Sequence, residues 1–187
     1  MSLPRDLSLE NVTSSEDSGG VRLLQAFVPE LQKLRRNHTH YSSSNSTGHS
    51  TIVSGQQVEI VASFDAPGGI LALDRPFGLD ILIGDAERTA VGVDPLKRLV
   101  CVNGTNQGNY QPRCGPFVSR GERQARFHII VDHSIIEVIA NNITAITASV
   151  APSGPRANGV QLYGVHDDDK LSAEVSAWQL TTANINQ

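Results

Sequence analysis

The sequence predicts an all-β fold, an antiparallel two-sheet β-sandwich, and three observations carry that reading. Apolar and polar residues alternate in short runs along most of the chain, which is the period-2 mark of strands with one buried face. Gly, Pro, Asn, Asp and Ser separate the runs at the spacing of sandwiches and barrels. Only one stretch has helical character. The clearest region is Phe127 to Val150, FHIIVDHSIIEVIANNITAITASV. Asp132-His133-Ser134 and Asn141-Asn142 break it into three strands, an antiparallel meander.

The elements follow in order. Residues 1–20 are polar, with Ser14-Ser15 and Gly19-Gly20, and read as a lead-in segment or linker. Residues 21–187 then form a single sandwich domain. Val21 to Phe27 is a strand. Pro29 to Arg35 is the helix candidate, a short helix near residues 29–36 of about two turns. Pro sits in its first turn, Glu30 follows, and Lys33 and Arg35 close it, which suits the helix dipole. Asn37 to Gln56 is rich in Ser, Thr, His and Gly and reads as a loop with a short strand at Thr51-Ile52-Val53. Val58, Ile60, Ala62 and Phe64 alternate with Glu59, Val61 and Ser63. Phe77, Leu79, Ile81 and Ile83 alternate with Gly78, Asp80, Leu82 and Gly84. Asp85-Ala86 turns the chain into Thr89 to Val93, and Asp94-Pro95-Leu96-Lys97 precedes Arg98 to Asn103. After the meander, Gly159 to Val165 and Ala173 to Leu180 bring the set to about ten or eleven strands.

Composition limits the function classes. The chain has 187 residues, enough to bury a sizeable core in one domain. Its net charge is −4, from 15 Lys and Arg against 19 Asp and Glu, so there is no basic footprint for nucleic acid or an anionic membrane. No apolar run approaches the roughly 18–20 residues of a membrane span. The first residues have no signal-peptide apolar core.

Two features point to the secretory pathway. Asn-X-Ser/Thr occurs at Asn11, Asn37, Asn45, Asn103 and Asn142, making these candidate N-glycosylation sites. The 2 cysteines, Cys101 and Cys114, bracket a Gly/Asn-rich loop, and an even count in a secreted chain favours a disulfide. Two cysteines without a nearby His pair make a poor zinc site. The expected location is therefore extracellular or vacuolar, and a secreted chain with no leader is expected to be a piece of a larger precursor.

Six short stretches resemble one family in the same order. They are Leu3-Pro4-Arg5-Asp6-Leu7-Ser8-Leu9, Ala26-Phe27-Val28-Pro29-Glu30-Leu31 through Leu34-Arg35, Val58 to Phe64, Arg88 to Asp94, Leu99 to Thr105, and Val131-Asp132-His133-Ser134-Ile135-Ile136-Glu137-Val138. The last is the most specific. Together they resemble the C-terminal β-sandwich of glycoside hydrolase family 32, the invertases, inulinases and levanases. Val102-Asn103-Gly104-Thr105 departs from the family's V-D-R-T. The resemblance implies a jelly-roll or lectin-like sandwich, with Asp132, Ser134 and Glu137 as structural motif residues. It implies a catalytic five-bladed β-propeller preceding it in the same chain, as its partner in cis. The family's N-D-P-N-G, R-D-P and E-C catalytic motifs do not occur in this sequence, so no catalytic role transfers to any residue here and no cofactor is implied.

Several constellations suggest other chemistry. Asp132 and Glu137 are paired carboxylates across a hairpin, the equipment of a retaining glycosidase if they come within about 5–5.5 Å. The plainer reading has Asp132 and Ser134 satisfying turn backbone while Glu137 pairs with a strand neighbour. Asp132-His133-Ser134 contains triad residue types, but adjacent residues do not orient as nucleophile, base and orienter. His166-Asp167-Asp168-Asp169 lacks the spaced pattern of a calcium loop. His38, His40 and His49 lie in a polar stretch without diagnostic metal spacing, so no metal site is assigned. Trp178, the 1 Trp, reads as core. Tyr110 is the candidate exposed aromatic for sugar contact.

The expectation is a non-catalytic accessory domain of a β-fructofuranosidase-type hydrolase acting on sucrose or fructans. Without its propeller the chain exposes an apolar patch and associates as a homodimer or higher oligomer. The rival is a free-standing lectin-like carbohydrate-binding module, which requires an exposed aromatic or polar groove contacting fructan or sucrose on one sheet face.

Overall fold

A computed structural model describes residues 3–12, 20–43, 51–105, 111–119, 123–152, 154, 156–166 and 170–181. β1 (Arg5–Val12) and β2 (Gly20–Phe27) pair as an antiparallel ribbon. A 3-10 helix, Pro29–Leu34, leads into β3 (Arg35–Ser42), and β4 (Val53–Ser54) and β5 (Gln57–Asp65) follow. Then come β6 (Phe77–Ile83), β7 (Arg88–Asp94), β8 (Leu99–Thr105), β9 (Arg113–Pro116), β10 (Gln124–Asp132), β11 (Ile135–Ala140), β12 (Thr144–Ser149), β13 (Gly159–Tyr163) and β14 (Ser172–Leu180). One sheet has the order β12-β11-β10-β5-β14-β3 and the other β4-β13-β6-β7-β8-β9, with every pairing antiparallel. The predicted sandwich is therefore the observed one.

Alternation builds the core. Ile60, Phe64, Ile129, Val131, Ile136 and Val138 of the first sheet face Phe77, Leu79, Ile81, Val91 and Val100 of the second, all fully buried. Phe64 packs its ring against Phe77 at 5.1 Å and Phe127 at 5.7 Å between centroids, within the favourable range for tilted and edge-to-face pairs. The sheets are also tied at one margin, where Thr144 Oγ1 donates to the Pro116 carbonyl and Asn141 Nδ2 to the Val118 carbonyl. Asn141 and Asn142 carry the predicted turn after β11 at φ 50° and 61°, a left-handed conformation that Asn tolerates best among residues with a Cβ.

Four elements differ from the sequence expectation. The two-turn helix is a 3-10 helix of 6 residues, and Arg35 is already extended at its end. The stretch from Asn37, read as loop, begins inside β3. That strand lies at the sheet edge, so neither face is fully buried and its sequence shows no clean alternation. Residues 5–12, read within a lead-in segment, form β1. β9 was not expected, being four residues at the other sheet's edge.

The first sheet's outer face is only half open. Leu3 and the stretch from Phe27 to Leu31 cover part of it, and Phe27, Ile130 and Ile139 form a second apolar cluster there with Leu3, Leu31, Ala145 and Leu180.

Candidate functional site

Strand register places the charged residues of this covered face. Outward residues Glu59 of β5, Ile130 of β10 and Glu137 of β11 stand in one transverse row, because Ile130 pairs with both glutamates' positions. Trp178 of β14 extends the row beside Glu59. Both glutamates are 1% exposed. A buried carboxylate requires charged or hydrogen-bonding partners, and each finds an arginine, Glu137 that of β1 and Glu59 that at the start of β3.

Arg35 donates to Glu59 through two nitrogens, Nε to Oε2 at 2.7 Å and a terminal nitrogen to Oε1 at 2.6 Å. This is the bidentate fork that guanidinium geometry favours. His128 Nε2 lies 2.7 Å from the same Oε1. Burial pushes the Glu59 carboxyl up, but the Arg35 and His128 hydrogen bonds outweigh it and hold it down to about 2. The other face of the Arg35 guanidinium lies 3.9 Å from the Trp178 ring centroid, and His38 stacks on that ring at 4.8 Å. Trp178 is thus not a core residue as expected. Its alternation puts Ala177 inward and Trp178 on the outer face, half-buried under Arg35.

Glu137 receives Arg5 at 2.9 Å on Oε2 and the Leu3 backbone amide at 2.6 Å on Oε1. These two partners come from the N-terminal segment rather than from the neighbouring strand that was expected. Arg5 also reaches Thr147 Oγ1 and Gln25 Oε1. Gln25 in turn joins the β11–β12 turn: its amide donates to the Asn142 carbonyl, and its own carbonyl accepts from Asn142 Nδ2. One end of the ribbon is therefore fastened at Glu137, at Asn142 and through Phe27.

Asp132 lies at the mouth of the same hairpin, diagonal to Glu137. Its side chain is exposed and accepts from Gln57 Nε2 at 3.0 Å, with His133 Nδ1 at 2.9 Å. The His133 contact holds its carboxyl below the ordinary range, against a smaller opposing effect of burial. These partners are side chains rather than the expected turn backbone. Ser134 contributes its carbonyl, which accepts from Val150 N. Asp132 and Glu137 both line a cleft of about 320 Å³ with Leu31, Ile130, Ile135 and Leu180. Both Glu137 oxygens are engaged by the chain itself.

Cys101 and Cys114 are opposite one another on β8 and β9 and form a disulfide. Asn11, Asn37, Asn103 and Asn142 are exposed. Asn45, Tyr110, His49 and Asp167–Asp169 lie outside the described residues. Among the described residues, no group of three or more His, Cys, Asp or Glu is placed to hold a metal. No described helix is long and apolar enough to cross a membrane.

The residues that sequence reading overlooked, Arg5, Arg35, Glu59 and His128, were in view. Arg5 ends L-P-R, Arg35 ends L-R, Glu59 opens the strand to Phe64, and Glu137 closes V-D-H-S-x-x-E-V. The structure joins these stretches in two pairs, so each ion pair explains two motifs.

A two-sheet sandwich whose outer face carries two buried Arg–Glu pairs, one of them fastening an N-terminal ribbon, defines the class. The family described as glycosyl hydrolases family 32 C terminal matches residues 30–179, and the chain belongs to that family. Solved structures with the same fold include the fructosyltransferase from A. japonicus, at 15% identity and TM-score 0.75, covering 99% of this chain and 36% of that one. The exo-inulinase from Aspergillus awamori, at 18% and TM-score 0.73, is covered over 36% of its length by 97% of this chain. Fructan 1-exohydrolase IIa from Cichorium intybus, at 20% and TM-score 0.69, is covered over 41% by 97%. The chain thus spans well under half the length of these enzymes. No curated protein matches the chain in sequence.

Proposed function

We propose that this chain is a non-catalytic accessory domain of a secreted β-fructofuranosidase-type glycoside hydrolase, and that it stabilises a catalytic β-propeller in the same polypeptide. The observation that carries this is the β1–β2 ribbon. Leu7, Leu9, Val21 and Leu23 are 63%, 73%, 64% and 47% exposed. Register puts Leu9 opposite Leu23, with Leu7 and Val21 on the same ribbon face. A contiguous apolar surface on a ribbon held at one end is the surface of an element that packs against another domain.

The parent reaction in this reading is hydrolysis of sucrose or fructans, carried by the other domain. The burial of Glu137, with both its oxygens engaged by the chain, supports the structural role, since a proton donor or nucleophile must present its carboxyl to substrate. Exposed sequon asparagines and the cross-strand disulfide support an extracellular or vacuolar location. The open ribbon face also supports self-association into a homodimer when no propeller covers it.

The test is fructose release from sucrose and from inulin by the purified chain at high protein concentration. No release is expected. Turnover that survives repurification, and is abolished by Glu137→Gln, overturns the reading. Sedimentation should show concentration-dependent association, and Leu9→Ser with Leu23→Ser should return it to monomer.

A further inference from the structure

The uncovered half of the first sheet's outer face is a trough. Its floor is made of short side chains on the central strands, Ser63 and Val61 of β5 and Ser176 of β14, brought side by side by register. Val61 is 38% exposed. Long polar side chains wall it. On β10, Arg126 donates to Gln124 Oε1 at 2.9 Å. On the far side, Glu174 of β14 lies 3.2 Å from His40 Nε2 of β3 and accepts from Ser42 Oγ at 3.1 Å. Two contiguous hollows of about 380 and 280 Å³ share Arg126 and Gln124 and run on to Asn141 and Asn142. From β10 to β3 the trough crosses three strand spacings, about 14 Å.

We propose that this trough binds a neutral, linear fructo-oligosaccharide, a stretch of the polymer on which the parent enzyme acts. The inference rests on the accessory-domain reading above. Charge is balanced across the trough, cationic Arg126 facing anionic Glu174, with the Arg123–Asp65 ion pair (2.7 Å) at one end. That balance selects neither anions nor cations. Guanidinium, carboxamide and carboxylate groups each offer paired donors or acceptors, which suits vicinal hydroxyls. Exposed Val61 supplies the apolar contact that sugar C–H faces need. The walls are held by hydrogen bonds within themselves, so little side-chain ordering is left to occur on binding.

The experiment is a heteronuclear NMR titration of the full chain with a short inulin oligosaccharide, and with a malto-oligosaccharide of equal length as control. The expected result is saturable shifts centred on residues 61–63, 124–126 and 174–176. Affinity should fall about tenfold or more in Arg126→Ala, the effect of losing a hydrogen bond to a charged group. Ser63→Tyr, which fills the floor, should abolish binding while the spectrum stays folded. Absence of saturable shifts overturns the proposal, as do shifts confined to the cleft at Leu31 and Ile135. An equal response to the malto-oligosaccharide overturns the fructan assignment. Failure here is separable from failure of the accessory reading, which is decided by fructose release.

Discussion

Glu59 and Glu174 stand on neighbouring strands of one sheet and point out of the same face, yet they meet opposite surroundings. Glu59 is 1% exposed and gripped by Arg35 and His128. The Glu174 side chain is 58% exposed and rests against His40 and Ser42. Nothing in the strands separates them, because both positions are polar members of an alternating run. The difference comes from what covers one half of the face, Leu3, Phe27 and Leu31 with Arg5 and Arg35, which brings arginines to the carboxylates beneath. A covered carboxylate without its arginine is a buried charge, whereas an open one needs only water.

The sharpest way to break the comparison is to neutralise each carboxylate in turn. Glu59→Gln leaves Arg35 without its charged partner beneath the roof and should lower stability by about 3 kcal/mol, read as a shift in the urea midpoint. Glu174→Gln should stay within about 0.5 kcal/mol. Equal effects would sink the distinction.

Acid should separate the two as well. The Glu59 carboxyl is depressed to about 2 in the folded state, below the roughly 4.3 of an unfolded chain. Its contribution is fully present above the unfolded value, and is lost as pH falls from there through about 2. Unfolding followed at fixed urea should therefore show an acid-linked loss below about pH 4.3 that Glu59→Gln reduces and Glu174→Gln leaves in place.

Much of this was legible in the sequence, and the illegible part has a common cause. Alternation from Val58 to Phe64 and from Phe127 to Val131 marks which residues face the core, because one face of each strand is buried. The same alternation labels Glu59 and Glu137 merely as outward. Their partners lie 24 and 132 residues away, so only the folded chain shows that outward means roofed. β3 escaped notice for a related reason, since an edge strand with polar groups on both faces has no period to read. Trp178 was misplaced inward because a lone large aromatic in an alternating strand suggests core, although its parity with Leu180 and Ser176 already set it against Ala177 and Val175.

Glu137 offers a more local test than Glu59. Its contacts fasten one end of the ribbon, and the sandwich core lies on the other side of the sheet. Glu137→Gln should cost about 1–3 kcal/mol, and the loss should be unevenly distributed. Hydrogen exchange should quicken across β1 and β2 while the amides of β6 and β7 keep their protection. Uniform acceleration would mean that the roof and the core unfold as one unit.

A smaller loss than at Glu59 or Glu137 is expected at Trp178, where the covered and open halves meet. Its ring meets two residues of β3, Arg35, which is bound to Glu59, and His38, which is exposed. Cation–π contact at a half-exposed site contributes about 0.5–1 kcal/mol, so Trp178→Leu should lower stability by about 1 kcal/mol and leave the Arg35–Glu59 fork formed. Trp178 is the 1 tryptophan of the chain, so its fluorescence reports this seam without labelling. If the roof is latched by Glu59, Glu59→Gln should change the emission of Trp178 in the folded state, because Arg35 is then free to leave the ring. An unchanged spectrum would show that the stack holds Arg35 in place by itself, and that the arginine is anchored from the open side of the sheet as much as from the covered one.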